Sequence, residues 1–359
     1  MKHLVLLIIL IGQISVCRAS GTDTTLASKK DKLHIKIVPV IAYAPETRLL
    51  FGVGALGTFK LHKDTITHYS LVAAFVTYTQ NAQDYIYVPY QLYSKNNKYY
   101  AEGEADYYNY SYYYWGVGTN RVPKELYNVH FPRVQLNGYR QITKNFYAGI
   151  DYYLEDDMIV GTQSNGELSQ GEIPGSTGSL SSGIGFDALY DTRDSIYFPT
   201  HGWYIKAVSY FNSPTIGASC TYSKVMTDIS YYLKPAKPLV LALNEHTQFT
   251  WGNVPFNQMA LVGGSRQMRG YYLGYYRDDV LTYFQAEARM HIIGRFGLNV
   301  FGSVGLLGNY NTFPESNSPI FAEGIGIRYN YDVRQHVNVR LDVGYGNSVE
   351  LYLTIQEAF

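Results

Sequence analysis

Apolar and polar side chains alternate along this chain in segment after segment, from residue 34 to the last residue. In the segment 337–346, the odd positions are apolar and the even positions are Asn, Arg, Asp and Gly. The segment 281–292 shows the same alternation, with Gln, Glu, Arg and His at odd positions 285 to 291. A period of two residues is typical of a β-strand with two different faces. The polar faces mix opposite charges with glycine, which favours a crowded lumen over open water.

Sixteen such segments follow one another, and most are 10 residues or longer. They are 34–45, 49–61, 67–80, 83–94, 97–110, 129–142, 145–156, 180–192, 202–213, 218–234, 238–251, 279–292, 295–308, 320–332, 335–346 and 349–359. A tilted strand of about 10 residues crosses the hydrocarbon layer, and an open sheet edge cannot lie in lipid. The pattern therefore predicts an all-β fold, a transmembrane antiparallel β-barrel of sixteen strands, with fourteen as the alternative.

The connections between these segments alternate in length. Long connections follow the fifth, seventh, eleventh and thirteenth segments, and short ones follow even-numbered segments. Short turns at one end and long loops at the other are typical of outer-membrane barrels. The connection around residues 261–279 carries several glycines and two Arg-Gly or Arg-Asp pairs, and its composition alone favours a polar external loop with a solvated arginine.

The beginning of the chain reads as a targeting segment. Residues 1–19 have a short positive start, an apolar run and a small-x-small site, which predicts a signal peptide. A lipoprotein reading would acylate Cys17, but Val16 is larger than such a site prefers. Residues 20–33 are polar and predict a disordered lead, and 34–359 then form the barrel. Cleavage would leave Cys220 alone, so no internal disulfide is expected.

The tyrosine content and the net charge of the chain bear on its location and partners. The chain has 37 tyrosines, and a ring with a polar tip suits the bilayer interface, although tyrosine is also abundant on carbohydrate-binding and adhesive surfaces. Its 29 basic and 29 acidic residues give a formal net charge of zero. That balance argues against nucleic acid or anionic lipid as the main partner.

Four patches, in order along the chain, resemble the BamA/TamA family of outer-membrane barrels. They are Pro39–Thr47 with Gly52–Gly54, Tyr190–Trp203, Gly263–Tyr271 with Glu287–Arg289, and Gly324–Arg328 with Val339–Gly346. The resemblance spans most of the chain. It implies a barrel with an inward-folded loop. The sequence contains no Gly-x-Ser-x-Gly motif and no histidine pair at i,i+4 spacing, so we expect neither enzymatic activity nor a cofactor.

In that family the loop arginine enters the lumen and pairs with acids on the inner wall. The matching residues here are Arg269, followed by Gly270 and Tyr271, and the acid Glu287. Glu287 also lies on the polar face of its segment, and a guanidinium can bind a carboxylate bidentately. The family's second wall acid is replaced by Ser303, so either the clamp is weaker or Asp342 takes its place.

The last segment resembles the C-terminal signal that the outer-membrane assembly machinery reads. It contains Tyr352, and the final Phe359 shares parity with Leu351, Leu353 and Ile355. We therefore expect Tyr352 and Phe359 to belong to an assembly signal.

Other motifs have simpler explanations. Gly52–Gly57 satisfies the dinucleotide fingerprint by letter, but alternating residues follow it instead of a helix, so a bent strand is expected. His291 with Ser303 suggests a hydrolase only if a nucleophile and base meet, and a structural histidine is the better reading. The acids around Arg193, and the pairs 156–157 and 278–279, are expected to cap turns or remain solvated rather than bind calcium.

The predicted function is insertion, assembly or translocation of proteins or lipids at the bacterial outer membrane. The expected partners are outer-membrane lipid, the assembly machinery during biogenesis, and client or complex proteins. The alternative is a passive pore or a structural barrel subunit of a larger complex. Family members that assemble or secrete proteins usually carry periplasmic domains before the barrel, and residues 20–33 leave no room for one, which favours the alternative.

Overall fold

The computed structural model describes residues 33–359, apart from 63, 65–66, 120, 315–317 and 333–336. The predicted signal peptide and nearly all of the polar lead lie outside the described residues. The strands in chain order are β1 His34–Ala44, β2 Arg48–Phe59, β3 Ser70–Thr79, β4 Asp84–Tyr93, β5 Tyr99–Tyr114, β6 Glu125–Thr143, β7 Phe146–Thr162, β8 Ser179–Asp191, β9 Gly202–Asn212, β10 Tyr222–Ala236, β11 Leu239–Gly252, β12 Ala260–Val262, β13 Tyr276–Asp278, β14 Val280–Ile293, β15 Phe296–Gly308, β16 Ile320–Asp332, β17 Val337–Tyr345 and β18 Val349–Ile355.

Sixteen of the strands among the described residues close into one antiparallel barrel. Each strand pairs with its neighbours in sequence, β11 pairs with β14, and β1 closes the barrel against β18. β12 and β13 form a separate two-stranded hairpin within the long connection 253–279. The prediction of a sixteen-stranded barrel is confirmed, and fourteen strands is wrong.

The strand bounds differ from the predicted ones by four or more residues in β5, β6, β7, β10 and β18. β5, β6 and β7 are longer than predicted, because the β5–β6 ladder continues to Tyr114 opposite Glu125. A run of tyrosines at 112–114 hides the alternation there, since tyrosine occupies both faces. β18 is shorter than predicted and ends at Ile355, where the positive φ of 72° at Gln356 turns the chain out of the strand.

The two ends of the barrel differ as expected, with exceptions. One end, here called the loop end, carries the long connections 115–124, 163–178, 253–279 and 309–319. The opposite end, the turn end, has short connections such as 144–145, 237–238 and 294–295. Two connections of the turn end, 60–69 and 192–201, are longer than the predicted asymmetry implies.

The alternation places each face as predicted. On β14, Gln285, Glu287 and Arg289 are buried inside the barrel, while Phe284 is 61% exposed on the outer surface. The glycine-rich stretch of β2 is regular strand, as expected. A Cβ at Gly54 would meet the Phe75 ring at 2.4 Å, so this glycine makes room for a neighbouring side chain.

Tyrosine is distributed differently from the interface belt that composition suggests. Many tyrosines are buried inside the barrel, on the inner wall or on the inward loop, and only a minority lie exposed on the surface. The buried ones are Tyr100, Tyr110, Tyr114, Tyr127, Tyr139, Tyr210, Tyr222, Tyr232, Tyr271, Tyr272, Tyr275, Tyr283 and Tyr352. Their rings fill lumen volume, and several of their hydroxyls bond to polar groups there, namely those of Tyr100, Tyr114, Tyr139, Tyr210, Tyr222, Tyr271 and Tyr352.

Helical structure among the described residues is limited to three short 3-10 turns, Lys95–Asn97, Leu168–Gln170 and Pro214–Ile216. In this described part of the chain, no helix has the length and apolar character required to cross a membrane.

Candidate functional site

The connection 253–279, here called the lumen loop, folds into the barrel. Its hairpin pairs Ala260 with Asp278 and Val262 with Tyr276, and the residues between form the tip. Gly263 and Gly264 follow β12 with φ values of 106° and 96°, which glycine adopts without strain. The tip is apolar on one side. Met268, Tyr271 and Tyr272 are buried against inner residues of β14, β15 and β16.

Arg269 lies at the tip and is 1% exposed. Its Nη2 donates to Glu287 on β14 and its Nη1 donates to Asp342 on β17. The guanidinium also lies 3.6 Å from the centre of the Phe301 ring on β15. The arginine thus joins three strands of the wall to the loop.

Three further arginines and one further acid complete a network that we call the charged clamp. Its members are Arg269, Arg289, Arg328, Arg340, Glu287, Asp342 and Glu357. Glu287 accepts from Arg289 at 3.0 Å and from Arg328 at 3.1 Å. Asp342 accepts from Arg328 at 2.5 Å and from Arg340 at 2.6 Å. Because burial of a charge is costly without a partner, this multiple pairing is what permits seven charged groups inside the barrel.

Glycines of β17 and its turn make room for the loop tip. A Cβ at Gly344 would meet the Arg269 backbone at 2.7 Å, and one at Gly346 would meet the Tyr271 ring at 2.4 Å. Gly270, with a φ of 124°, would in turn meet the Tyr345 backbone at 2.5 Å. Gly344 and Gly346 therefore accommodate the tip at close range.

The tip bonds to both sides of the joint between β1 and β18, which we call the seam. On the β18 side, the Tyr352 hydroxyl accepts from the Gly270 N–H at 3.0 Å and donates to the Tyr271 carbonyl at 3.0 Å. On the β1 side, Glu46 in the β1–β2 turn accepts from the Leu273 N–H at 2.6 Å. Residues 270–273 therefore bridge the seam from inside.

The ladder at the seam itself is short. Its register contains one pair, Tyr43 opposite Leu353, whereas β1 pairs with β2 from His34 to Ala44. Along most of β1, the edge that faces β18 lacks a strand partner among the described residues. A row of unpaired backbone groups is a template for pairing with another strand.

Glu46 lies in the turn at the loop end, outside the membrane-spanning strands, and is buried. Burial raises the pKa of its carboxyl to about 7, and the nearby Glu350 acts in the same direction. The hydrogen bond from Leu273 opposes the shift but is the weaker influence. This contact between the loop and the β1–β2 turn therefore titrates near neutral pH.

The opposite wall holds the loop by aromatic contacts. Trp115, in the β5–β6 connection, lies 5.2 Å from Tyr272 and 5.0 Å from Tyr275 between ring centres. Phe256 at the start of the loop packs between Tyr114 and Tyr127. The loop thus has a charged side toward β14–β18 and an aromatic side toward β5–β6.

The sequence-predicted clamp residues come together, with two changes of detail. Arg269 does not bind Glu287 bidentately, because its two Nη atoms contact two different acids. Of the alternatives left open by Ser303, the structure favours Asp342. The Ser303 hydroxyl donates to the Ala322 carbonyl and is not part of the network.

The two residues of the predicted assembly signal, Tyr352 and Phe359, lie in different environments. Tyr352 faces the lumen and is fully buried against the loop tip. Phe359 lies beyond the end of β18 and does not continue the outward row of Leu351 and Leu353, because the chain turns inward at Gln356. Its backbone oxygen accepts from Arg289 at 2.9 Å. That these residues form an assembly signal stays a prediction.

The remaining motifs have structural explanations. Arg193 contacts both oxygens of Asp191, at 3.0 and 2.7 Å, and Asp194 accepts from the Thr200 and His201 N–H groups of the same turn. The other acid pairs are not fully solvated, since Asp157 and Asp278 are buried and Asp278 accepts from the Asp279 N–H. Asp156 and Asp157 point to opposite faces of β7, and Asp279 accepts from Asn309.

His291 on β14 and Ser303 on β15, the candidate hydrolase pair, lie far apart. Gln285 is the register partner of Ser303, and His291 lies six residues further along β14. That separation is roughly 20 Å at about 3.4 Å per residue. His291 and Ser303 therefore do not form a catalytic pair. His336 lies outside the described residues.

Sequence reasoning missed four clamp members, Arg289, Arg328, Arg340 and Glu357. It also missed Tyr352 and Glu46 as loop partners. Parity could have found Arg340, which shares the inner face with Asp342. Glu46 gave no such signal, because it lies in a turn and its contact is 227 positions away in sequence.

One family model and several solved structures match this chain. The Omp85 superfamily domain matches residues 50–346. No curated protein matches the chain by sequence. Among solved structures, BamA from Haemophilus ducreyi lacking POTRA domains 1-3 is similar, with a TM-score of 0.61 and 14% identity over 91% of this chain and 70% of that one.

CdiB structures are also similar. CdiB from Acinetobacter baumannii has a TM-score of 0.58 and 12% identity over 91% of this chain, and CdiB from Escherichia coli has 0.58 and 10% over 91%. This chain spans 65% and 68% of those two chains. At such identities the likeness shows the fold, while the domain match covers well over half of the chain. The chain therefore belongs to the Omp85 superfamily and is a β-barrel protein of the bacterial outer membrane.

Proposed function

We propose that this barrel helps to insert, assemble or translocate proteins or lipids at the outer membrane by opening at the seam. The observation that carries the proposal is the single register pair between β1 and β18. Opening would break few backbone hydrogen bonds and would offer the edge of β1 to a client strand, which is recognition by strand addition.

The lumen loop supplies the control of that opening. Its tip bonds Tyr352 on one side of the seam and Glu46 on the other, and its position is fixed by Arg269 in the charged clamp. In this mechanism the seam stays closed while the tip is seated and opens when the tip withdraws. The barrel acts by conformational change, and we assign no bond-making step to it.

The test is a disulfide across the seam. Tyr43→Cys with Leu353→Cys joins the register pair, in a Cys220→Ser background that removes the other mature thiol. Directly opposed strand positions are about 4.5 to 5.5 Å apart between Cα atoms, within disulfide range. The matched control, Val53→Cys with Val76→Cys, joins β2 to β3 within a continuous ladder.

The readout is the rate at which a small unfolded barrel protein inserts into vesicles that contain this protein. Oxidation is expected to slow insertion with the seam pair, reduction is expected to restore it, and the control pair should have no effect. Equal rates for the oxidised and reduced seam pair would contradict opening at the seam.

A passive pore is the competing function, and conductance separates the two. The loop that crosses the lumen supports a plugged barrel, with rare openings in a planar bilayer. A large steady current through the wild-type protein would favour the pore instead.

A further inference from the structure

Glu245 lies on the outer wall of the barrel, where lipid contacts the strands. It belongs to β11, and its register partners are Ile229 on β10 and Phe284 on β14, both outward-facing. Leu243 precedes it on the same face and is 44% exposed. An ionisable side chain on a lipid-facing surface is costly, and its presence there indicates a role other than packing.

One oxygen of this carboxyl is satisfied and the other is not. Oε1 accepts from the Thr247 hydroxyl at 2.5 Å, and that hydroxyl lies 2.7 Å from the Thr282 hydroxyl. Oε2 is buried and has no hydrogen-bond partner among the described residues. An unpaired buried oxygen carries a desolvation cost that a hydrogen-bond donor would remove.

Glu245 lines a groove in the outer wall. The groove has a volume of about 550 Å³, within the range of small-molecule sites, and is open toward the surrounding membrane. Its lining includes the large side chains Trp203, Tyr231, Leu243 and Phe284, and the small residues Ala286 and Gly302.

The shape suits an extended chain. The lining comes from five adjacent strands, β9, β10, β11, β14 and β15, so the groove extends across roughly 20 Å at about 4.8 Å per strand. At Gly302, a Cβ would find no atom nearer than 3.9 Å, so the floor is open rather than filled by the protein.

We propose that this groove binds an acyl chain of an outer-membrane lipid that carries a hydroxyl group. The hydrocarbon lies along the groove over Ala286 and Gly302, and a rotation of the Glu245 carboxyl turns Oε2 toward the groove, where the hydroxyl donates to it. A chain without a hydroxyl fills the same space but leaves this oxygen unpaired. The site therefore selects hydroxylated chains over plain ones, and it does not depend on the proposed function at the seam.

The experiment uses Trp203 as the reporter, since it lines the groove and is 42% exposed. The full-length barrel is placed in phosphatidylcholine vesicles in which a fixed fraction of the chains is brominated and quenches tryptophan on contact. Unlabelled phosphatidylcholine with a hydroxyl at carbon 3 or carbon 12 of the chain is added as competitor, and plain phosphatidylcholine serves as reference. Subtracting the signal of Trp203→Phe isolates the reporter.

Hydroxylated competitor is expected to relieve quenching about fivefold more effectively than plain lipid, the factor that one hydrogen bond of about 1 kcal/mol gives. Glu245→Leu should lose that preference while folding normally, because leucine suits a lipid-facing position. Gly302→Val fills the floor of the groove and should also lose the preference for hydroxylated lipid, although Glu245 is still present.

Glu323→Leu is the matched control, since it removes another outward glutamate outside this groove, and it should keep the preference. Heat-modifiable mobility confirms that each variant is folded. No preference in the wild type at either hydroxyl position would overturn the proposal. A preference that survives in both Glu245→Leu and Gly302→Val would also overturn it.

Discussion

The charged clamp and the seam are two joints of one barrel, and they are built in opposite ways. At the clamp, Arg269 reaches two acids, and each of those acids contacts two further arginines. At the seam, two strands share one register pair. The charged clamp, with its many ion pairs, fixes the lumen loop. The tip of that loop spans the seam, which has a single register pair. The difference indicates that closure of the seam depends on a contact inside the lumen more than on its own ladder.

The largest expected effect comes from removing a clamp acid. Glu287 contacts Arg269, Arg289 and Arg328, so Glu287→Gln leaves three buried guanidinium groups short of a partner. Removing one partner of a buried ion pair costs about 3–5 kcal/mol. We expect a large loss of folded barrel in refolding, measured by heat-modifiable mobility. Asp342→Asn should act similarly.

A small effect of these substitutions on folding would contradict a stabilising role for the charged clamp. If Glu287→Gln refolds with wild-type yield and urea midpoint, the clamp does not hold the fold together. The outward Glu323→Gln is the control and should have little effect, because this side chain is exposed and its substitution unpairs no clamp residue.

Arg269→Ala is expected to cost less, about 2 kcal/mol, because each acid keeps two other arginines. The fold should survive at a lower yield, but the tip should leave its place between Tyr352 and Glu46. Protease sensitivity of the loop in vesicles measures this release. Arg266→Ala is the matched control from the same loop, since Arg266 is exposed and its side chain makes one hydrogen bond to the described residues, to the Ala358 carbonyl. Equal protection of the loop in both variants would argue against an anchoring role for Arg269.

Tyr352→Phe tests one side of the bridge. The substitution removes the acceptor for Gly270 and the donor for Tyr271 while keeping the ring. We expect a loss of about 1–2 kcal/mol in urea unfolding, typical of one or two buried hydrogen bonds. Tyr345→Phe provides the comparison, since Tyr345 lies exposed on the outer face. If Tyr352→Phe is as stable as this control, the Tyr352 hydroxyl does not stabilise the bridge across the seam.

The smallest effect concerns Glu46 and pH. Its pKa is raised above the unfolded value by burial, so the folded state favours the protonated acid. This contribution to stability is fully present below about pH 4.5 and is lost as pH rises through about 7. The urea midpoint of the wild type should therefore fall between pH 5 and 8 by more than that of Glu46→Gln. Parallel curves for the two proteins would show that Glu46 does not titrate in this range.

Much of this architecture is readable from the sequence, because the membrane imposes it. A strand that faces lipid on one side must alternate, and alternation located β14 and β17 and placed Glu287 and Asp342 inside. Parity could not give the contacts between distant segments. Tyr352 bonds to residues more than 80 positions away, and the partner of Glu46 lies 227 positions away. Where tyrosine occupies both faces, as at 112–114, the signal is lost and the strand ends were misplaced.

The most direct test measures the width of the seam with the tip seated and released. Spin labels at Ile41→Cys on β1 and Leu351→Cys on β18, both outward-facing, report the distance across the seam in vesicles by pulsed electron paramagnetic resonance. The account predicts a narrow, short distribution in the Cys220→Ser background and a broader, longer one when Arg269→Ala is added. Identical distributions with and without Arg269 would contradict the claim that the lumen loop holds the seam closed.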